Sequence, residues 1–301
     1  MYKMFATVFS MLYLGVFTVG LSYHSEPAIL EKADIAHPST RVIIIDSGVS
    51  LTESSVSDFS TYIDFTEDAG GENEFKDCLT HGTPVAEIFS NEAGDYIDYE
   101  LIVLKVFPCD KDLVGTGIAV KKALEWVNET MSSDTLTILN MSMSFGHASE
   151  FGKPLVEMLV SKGAIIVTSA GNGATDACKL SPGNVESAIT VGNVRIKPST
   201  GEAVLQANSN DGDCIDVYSV GTFHCKVSER ISQTCTGTSF ASPVIAAKLT
   251  KYASVLEKRG YRLNSETAHM FLDRMSRNIN GFNYIAPEEE TLESLYTKLE
   301  P

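Results

Sequence analysis

Six apolar runs of strand length punctuate the chain, at 42–45, 101–106, 136–141, 165–167, 189–191 and 215–218. Each is continuous rather than alternating, the pattern of strands covered on both faces. Between them, apolar positions recur at helical spacing and predict helices over 84–90, 116–129, 154–161 and 239–257. Strands that alternate with helices predict a doubly wound α/β fold, a mostly parallel sheet with helices on both faces. Ligands of such sheets bind beyond the C-terminal strand edges. No internal repeat and no low-complexity linker interrupts the pattern.

The ends of the chain read differently. Lys3 is followed by the uncharged run 5–21 and by small residues at Gly20 and Ser22, so residues 1–22 read as an export signal. That implies a secreted or periplasmic protein, with an uncleaved membrane anchor as the alternative. Residues 23–40 form a short arm, 41–285 the α/β domain and 286–301 an acidic tail, expected as a surface helix. No later stretch is long and apolar enough for a second span.

Composition narrows the chemistry. The net charge of −16 over 301 residues argues against nucleic acid as a partner, since phosphates demand a basic surface. The six cysteines, an even count in an exported chain, point to disulfides and leave their connectivity open.

Four segments carry candidate chemistry. In Gly237-Thr238-Ser239-Phe240-Ala241-Ser242-Pro243 a serine follows a tight turn and opens an apolar helix. Free backbone N–H groups and the helix dipole favour negative charge there, which suits a nucleophile that creates an oxyanion. A plain helix cap is the alternative. Arg41-Val42-Ile43-Ile44-Ile45-Asp46-Ser47-Gly48 reads as a buried strand ending in a carboxylate, or in an ordinary turn aspartate. Thr80-His81-Gly82-Thr83-Pro84-Val85-Ala86 places a histidine before a helix, with Pro84 tolerated in the first turn. Ala170-Gly171-Asn172-Gly173 sets an amide donor after the strand at 165–167.

In this chain order the four segments resemble the subtilisin-type serine peptidases, in the pattern of the proteinase K and aqualysin branch. Leu139-Asn140-Met141-Ser142-Met143-Ser144 and the turn Ser209-Asn210-Asp211-Gly212 are similar to further motifs of that family. The resemblance covers roughly residues 40–260. It implies a serine endopeptidase with Asp46, His81 and Ser239 as catalytic residues and Asn172 in the oxyanion hole. It implies polypeptide substrates held as an extended strand between Val114-Gly115-Thr116 and Ser142-Met143-Ser144, near Gly171. On the same ground the bridges are Cys78–Cys109 and Cys178–Cys214, with Cys225 left for Cys235. It also points to a structural calcium on Asp216 and the carbonyls of Glu186 and Ala188, although Asp216 reads equally as a turn cap.

Several positions depart from the family pattern. Pro84 stands where a histidine is usual, Ser47 where a threonine is common, and Ser144 where glycine would widen the first pocket. Between the signal and Arg41 there is no room for the family's propeptide domain. The chain therefore folds unaided, or uses a separate inhibitor or folding partner, or blocks its cleft with residues 23–40. A monomer is expected. Two other readings stay open: a catalytically silent fold used for binding, and a metal-dependent hydrolase built on His81 and Asp46, which lacks a third clustered ligand.

Overall fold

The computed structural model describes residues 31–32, 40–50, 59–66, 75–94, 97–109, 113–145, 152–228 and 231–287. The export signal at 1–22, most of the arm and the tail from 288 onward lie outside the described residues.

The first half of the chain forms β1 (Glu31–Lys32), β2 (Thr40–Asp46), β3 (Thr61–Asp64), α1 (Gly82–Ala93), β4 (Glu100–Lys105), α2 (Leu113–Thr130) and β5 (Leu136–Met141). There follow α3 (Lys153–Ser161), β6 (Ile165–Ser169), β7 (Ile189–Ile196), β8 (Ala203–Leu205), β9 (Val217–Val220), β10 (Thr222–Ser228) and β11 (Ile231–Thr236). The chain closes with α4 (Thr238–Glu257), β12 (Tyr261–Arg262), α5 (Ser265–Met275), β13 (Arg277–Ile279) and β14 (Phe282–Tyr284).

A ten-stranded sheet runs β13-β14-β9-β7-β6-β5-β2-β4-β3, with β8 paired to β7. Its interior is parallel; β8 and β13 join antiparallel. The continuous apolar run of β2 is explained by its two faces. Val42 and Ile44 face a layer containing Val85 and Phe89 of α1 with Val244 and Ile245 of α4. Ile43 and Ile45 face Val120 and Leu124 of α2 with Val156 and Leu159 of α3. Neighbouring residues of one strand thus enter opposite cores, as the period of two requires.

The connections leave β2 in both directions. β4 lies on one side of it and β5 on the other, so the strand order reverses at β2. A crevice opens where helices leave toward opposite faces at such a reversal, and Asp46 ends β2 at that place.

Two expectations are corrected. Residues 114–116 belong to the first turns of α2 rather than to an extended strand, because the helical pattern of α2 begins at Leu113. The strand expected at 215–218 occupies Val217–Val220, since the chain leaves a turn at 213–214 and meets β7 only from Asp216, whose N–H donates to the Thr190 carbonyl at 3.1 Å. Within the arm, Glu31–Lys32 pairs with Tyr261–Arg262 beyond the C-terminal end of α4. Ser239 lies at the other end of this 20-residue helix, about 30 Å away at the rise of an α-helix. The rest of the arm, to which the blocking alternative refers, lies outside the described residues.

Candidate active site

Asp46 leaves β2 as a fully buried carboxylate. Its Oδ1 accepts the backbone N–H of Ser47 and lies 2.7 Å from His81 Nδ1. That contact places the ring proton on Nδ1 and leaves the Nε2 lone pair free to act as a base. His81 is the N-cap of α1, so the chain enters the helix there and delivers the ring to the sheet edge. Gly82 follows because the helix start lies hard against β2: a Cβ there would collide with the carbonyl of Gly48.

Ser239 occupies the first turn of α4 and is 8% exposed. The ring of its neighbour Phe240 packs on the His81 ring, centroids 5.2 Å apart. α1 and α4 therefore bring the imidazole and the serine to one mouth. Burial pushes the His81 imidazole toward its neutral form. The charge of Asp46, its hydrogen bond and the charge of Asp77 outweigh that, and hold the pKa above its ordinary value of 6.5.

Asn172 follows β6. Its side-chain oxygen accepts the Thr238 N–H at 2.9 Å and the Thr238 hydroxyl at 3.2 Å. With the oxygen so engaged, the amide nitrogen is the end turned to donation, as an oxyanion requires. Thr238 also accepts the N–H of Gly171 at 3.1 Å, tying the two loops together.

Asn210, quoted only as part of a turn, has a positioning role that the sequence reading did not assign. It is fully buried. Its Nδ2 donates to Ala170 O at 2.7 Å, and its Oδ1 accepts Gly173 N–H at 2.9 Å and Thr175 N–H at 3.0 Å. It holds the loop that carries Asn172. Ser142 is also buried, and its hydroxyl donates to the Ser239 carbonyl at 2.8 Å, supporting the first turn of α4 from below. Its side chain is thus committed to α4 rather than to a ligand.

A cleft of ≈ 540 Å³ opens beside these groups, lined by Leu79, Phe107, Pro108, Thr116 and Met143 together with His81. Its size and apolar walls suit a ligand. Val114 and Gly115 precede Thr116 on α2. At Gly171 an added Cβ would stand 2.5 Å from Asn210 Nδ2 and 2.9 Å from Ser144 Oγ, so the loop is packed closely against its neighbours there.

All three expected bridges are present: Cys78–Cys109, Cys178–Cys214 and Cys225–Cys235. The calcium expectation fares differently. Glu186 and Ala188 lie in the turn before β7. Asp216 Oδ2 accepts the Thr190 N–H at 2.7 Å, and Oδ1 faces His269 Nε2 at 3.7 Å. Burial pushes the Asp216 carboxyl up, against the lowering pull of the Thr190 N–H and the His269 charge. Calcium takes all-oxygen shells. An imidazole at the carboxylate does not fit one. Among the described residues no three His, Cys, Asp or Glu side chains cluster as a metal set, and no helix is long and apolar enough to cross a membrane.

The sequence profile of the subtilase family matches residues 38–283. Among curated proteins, the subtilase-type proteinase psp3 of Schizosaccharomyces pombe is 28% identical over 80% of this chain and 51% of its own length. An extracellular serine proteinase of a Thermus species is 31% identical over 69% of this chain and 49% of its own. Proteinase T of Parengyodontium album is 30% identical over 71% of each. The chain thus spans about half the length of the first two relatives. A crystal structure of a cold-adapted subtilisin-like serine proteinase superposes with a TM-score of 0.65 at 22% identity, over 86% of this chain and 92% of that one.

Proposed function

The chain belongs to the subtilase family, and we propose that it is a secreted serine endopeptidase that cleaves extended polypeptides. The observation that carries this reading is the buried Asp46 carboxylate 2.7 Å from His81 Nδ1, with Phe240 packing that ring beside Ser239. A carboxylate buried there orients the imidazole and stabilises it once charged.

In this reading Ser239 Oγ attacks the peptide carbonyl as its proton passes to His81 Nε2. The C–N bond then breaks, and His81 returns the proton to the leaving amine. Water enters, loses a proton to His81 and releases the acyl group from Ser239. The Asn172 amide and the Ser239 backbone N–H donate to the oxyanion in both halves. Substrate backbone lies along Ser142-Met143-Ser144; Ser144 on the cleft narrows the first pocket, and the apolar walls favour neutral side chains there. Three disulfides and an extracellular relative support an oxidising, external location. The chain acts as a monomer.

A fluorophosphonate probe should label the protein and lose its target in Ser239→Ala. A peptide library read by mass spectrometry should show cleavage by wild type alone. Absence of both from wild type would favour a silent binding fold.

A further inference from the structure

We propose that Asp77 is a positioning residue for the Asp46–His81 pair, acting through the Ser47 hydroxyl and the first amides of α1. The inference deepens the peptidase reading and rests on it for its kinetic consequences, though not for its structural ones.

α1 starts without a cap from its own N-cap residue: the His81 side chain makes no capping hydrogen bond, because its Nδ1 is committed to Asp46. Asp77, four residues upstream, takes over that task. Its Oδ2 accepts the Thr83 N–H at 2.7 Å, and its Oδ1 accepts the His81 N–H at 3.3 Å. The same Oδ1 accepts the Ser47 hydroxyl at 2.6 Å. Ser47 Oγ in turn accepts the Gly82 N–H at 2.9 Å, while the Ser47 N–H donates to Asp46 Oδ1 at 2.7 Å. One network therefore joins the end of β2 to the start of α1, which is to say Asp46 to His81. Asp77, Ser47 and Asp46 are all buried, so water does not substitute for these bonds.

The chemistry asks for a carboxylate at this place. Three donors converge on its two oxygens, and it sits at the positive end of a helix. An amide offers a single acceptor oxygen and turns its N–H toward either the Thr83 N–H or the Ser47 hydroxyl. Charge adds to geometry. The carboxylates set against His81 are Asp46 from β2 and Asp77 from the turn before α1, while α4 sets the uncharged Phe240 ring against it. Both carboxylates favour the imidazolium that forms when Ser239 is deprotonated.

The test uses the 301-residue chain with Asp77→Asn and Ser47→Ala, reading kcat and KM against pH together with the His81 ring titration and its Nδ1 proton by NMR. Asp77→Asn should lower kcat by about tenfold or more with KM within about twofold. It should also move the acid limb of the profile and the ring titration to lower pH. Ser47→Ala should lower kcat and shift the Nδ1 resonance with the ring titration nearly in place. Wild-type kcat and an unmoved titration in Asp77→Asn would overturn the proposal. Should that variant fail to fold, unchanged kcat and Nδ1 resonance in Ser47→Ala would overturn it instead. An inactive wild type whose His81 titration still falls in Asp77→Asn would sink the peptidase reading while leaving the network established.

Discussion

His81 makes opposite demands on pH. Its pKa is raised above 6.5 by Asp46 and Asp77 against the effect of burial. A raised histidine stabilises the fold fully below 6.5, and that contribution is lost as pH climbs through the folded value. In the proposed reaction, hydrolysis needs the neutral ring and rises over the same window. We expect the denaturant midpoint to fall while kcat/KM climbs between 6.5 and the raised value. In Asp46→Asn both trends should disappear; persistence of either would separate it from this pair. Asn172→Ala should lower kcat on the order of 10²–10³ with little change in KM, a magnitude that belongs to subtilisin itself and is carried over. A loss below threefold would remove Asn172 from the oxyanion site. Asp46, His81, Asn172 and Ser239 were legible because each stands at the junction of an apolar run and a turn. Asp77 was not: nothing in Lys76-Asp77-Cys78 shows that its carboxylate folds back onto amides four to six residues ahead.

The buried strands of the parallel sheet were readable as elements because both of their faces are apolar. The elements that escaped notice have one wet face or none that is dry. In β10 and β11, Cys225 and Cys235 are buried while His224, Gln233 and Thr234 are exposed, so too little apolar signal remains to announce a hairpin. α5 buries only Thr267, Ala268, Phe271 and Leu272, and apart from Met270 and Met275 it is polar elsewhere. It starts with the capping box of Asn264 and Thr267, in which Thr replaces the usual Glu or Gln. The 114–116 segment was read as a strand from the family resemblance, and Gly115, Thr116 and Gly117 weaken there the helical pattern that the rest of α2 sustains. At this scale the disulfides make a ranked prediction. Cys178–Cys214 closes a 36-residue separation and Cys225–Cys235 one of 10. The chain-entropy account makes removal of the first the more destabilising, by about 1 kcal/mol. Denaturant unfolding of the two paired Cys→Ala variants measures this, and the reverse order would show that native packing, not loop length, decides.

Across the whole molecule the sheet is assembled from distant pieces: Thr40 of β2 stands opposite Leu136 of β5 and Arg41 opposite Glu100 of β4. Such non-local parallel pairing makes folding slow. It also concentrates protection in what the sheet encloses. α4 buries 18 of its 20 residues, from Thr238 to Leu256, and Ser239 rides on its first turn. Segments with that much enclosure open only when the entire domain does. Amide exchange along α4 should therefore be among the slowest in the protein, and heat should silence hydrolysis only at the global melting transition. Activity lost several degrees earlier would contradict this. If the proposed chemistry holds, a reactive group mounted on the last element to come apart makes the protein its own thermometer: while any cutting persists, the molecule it comes from is still whole.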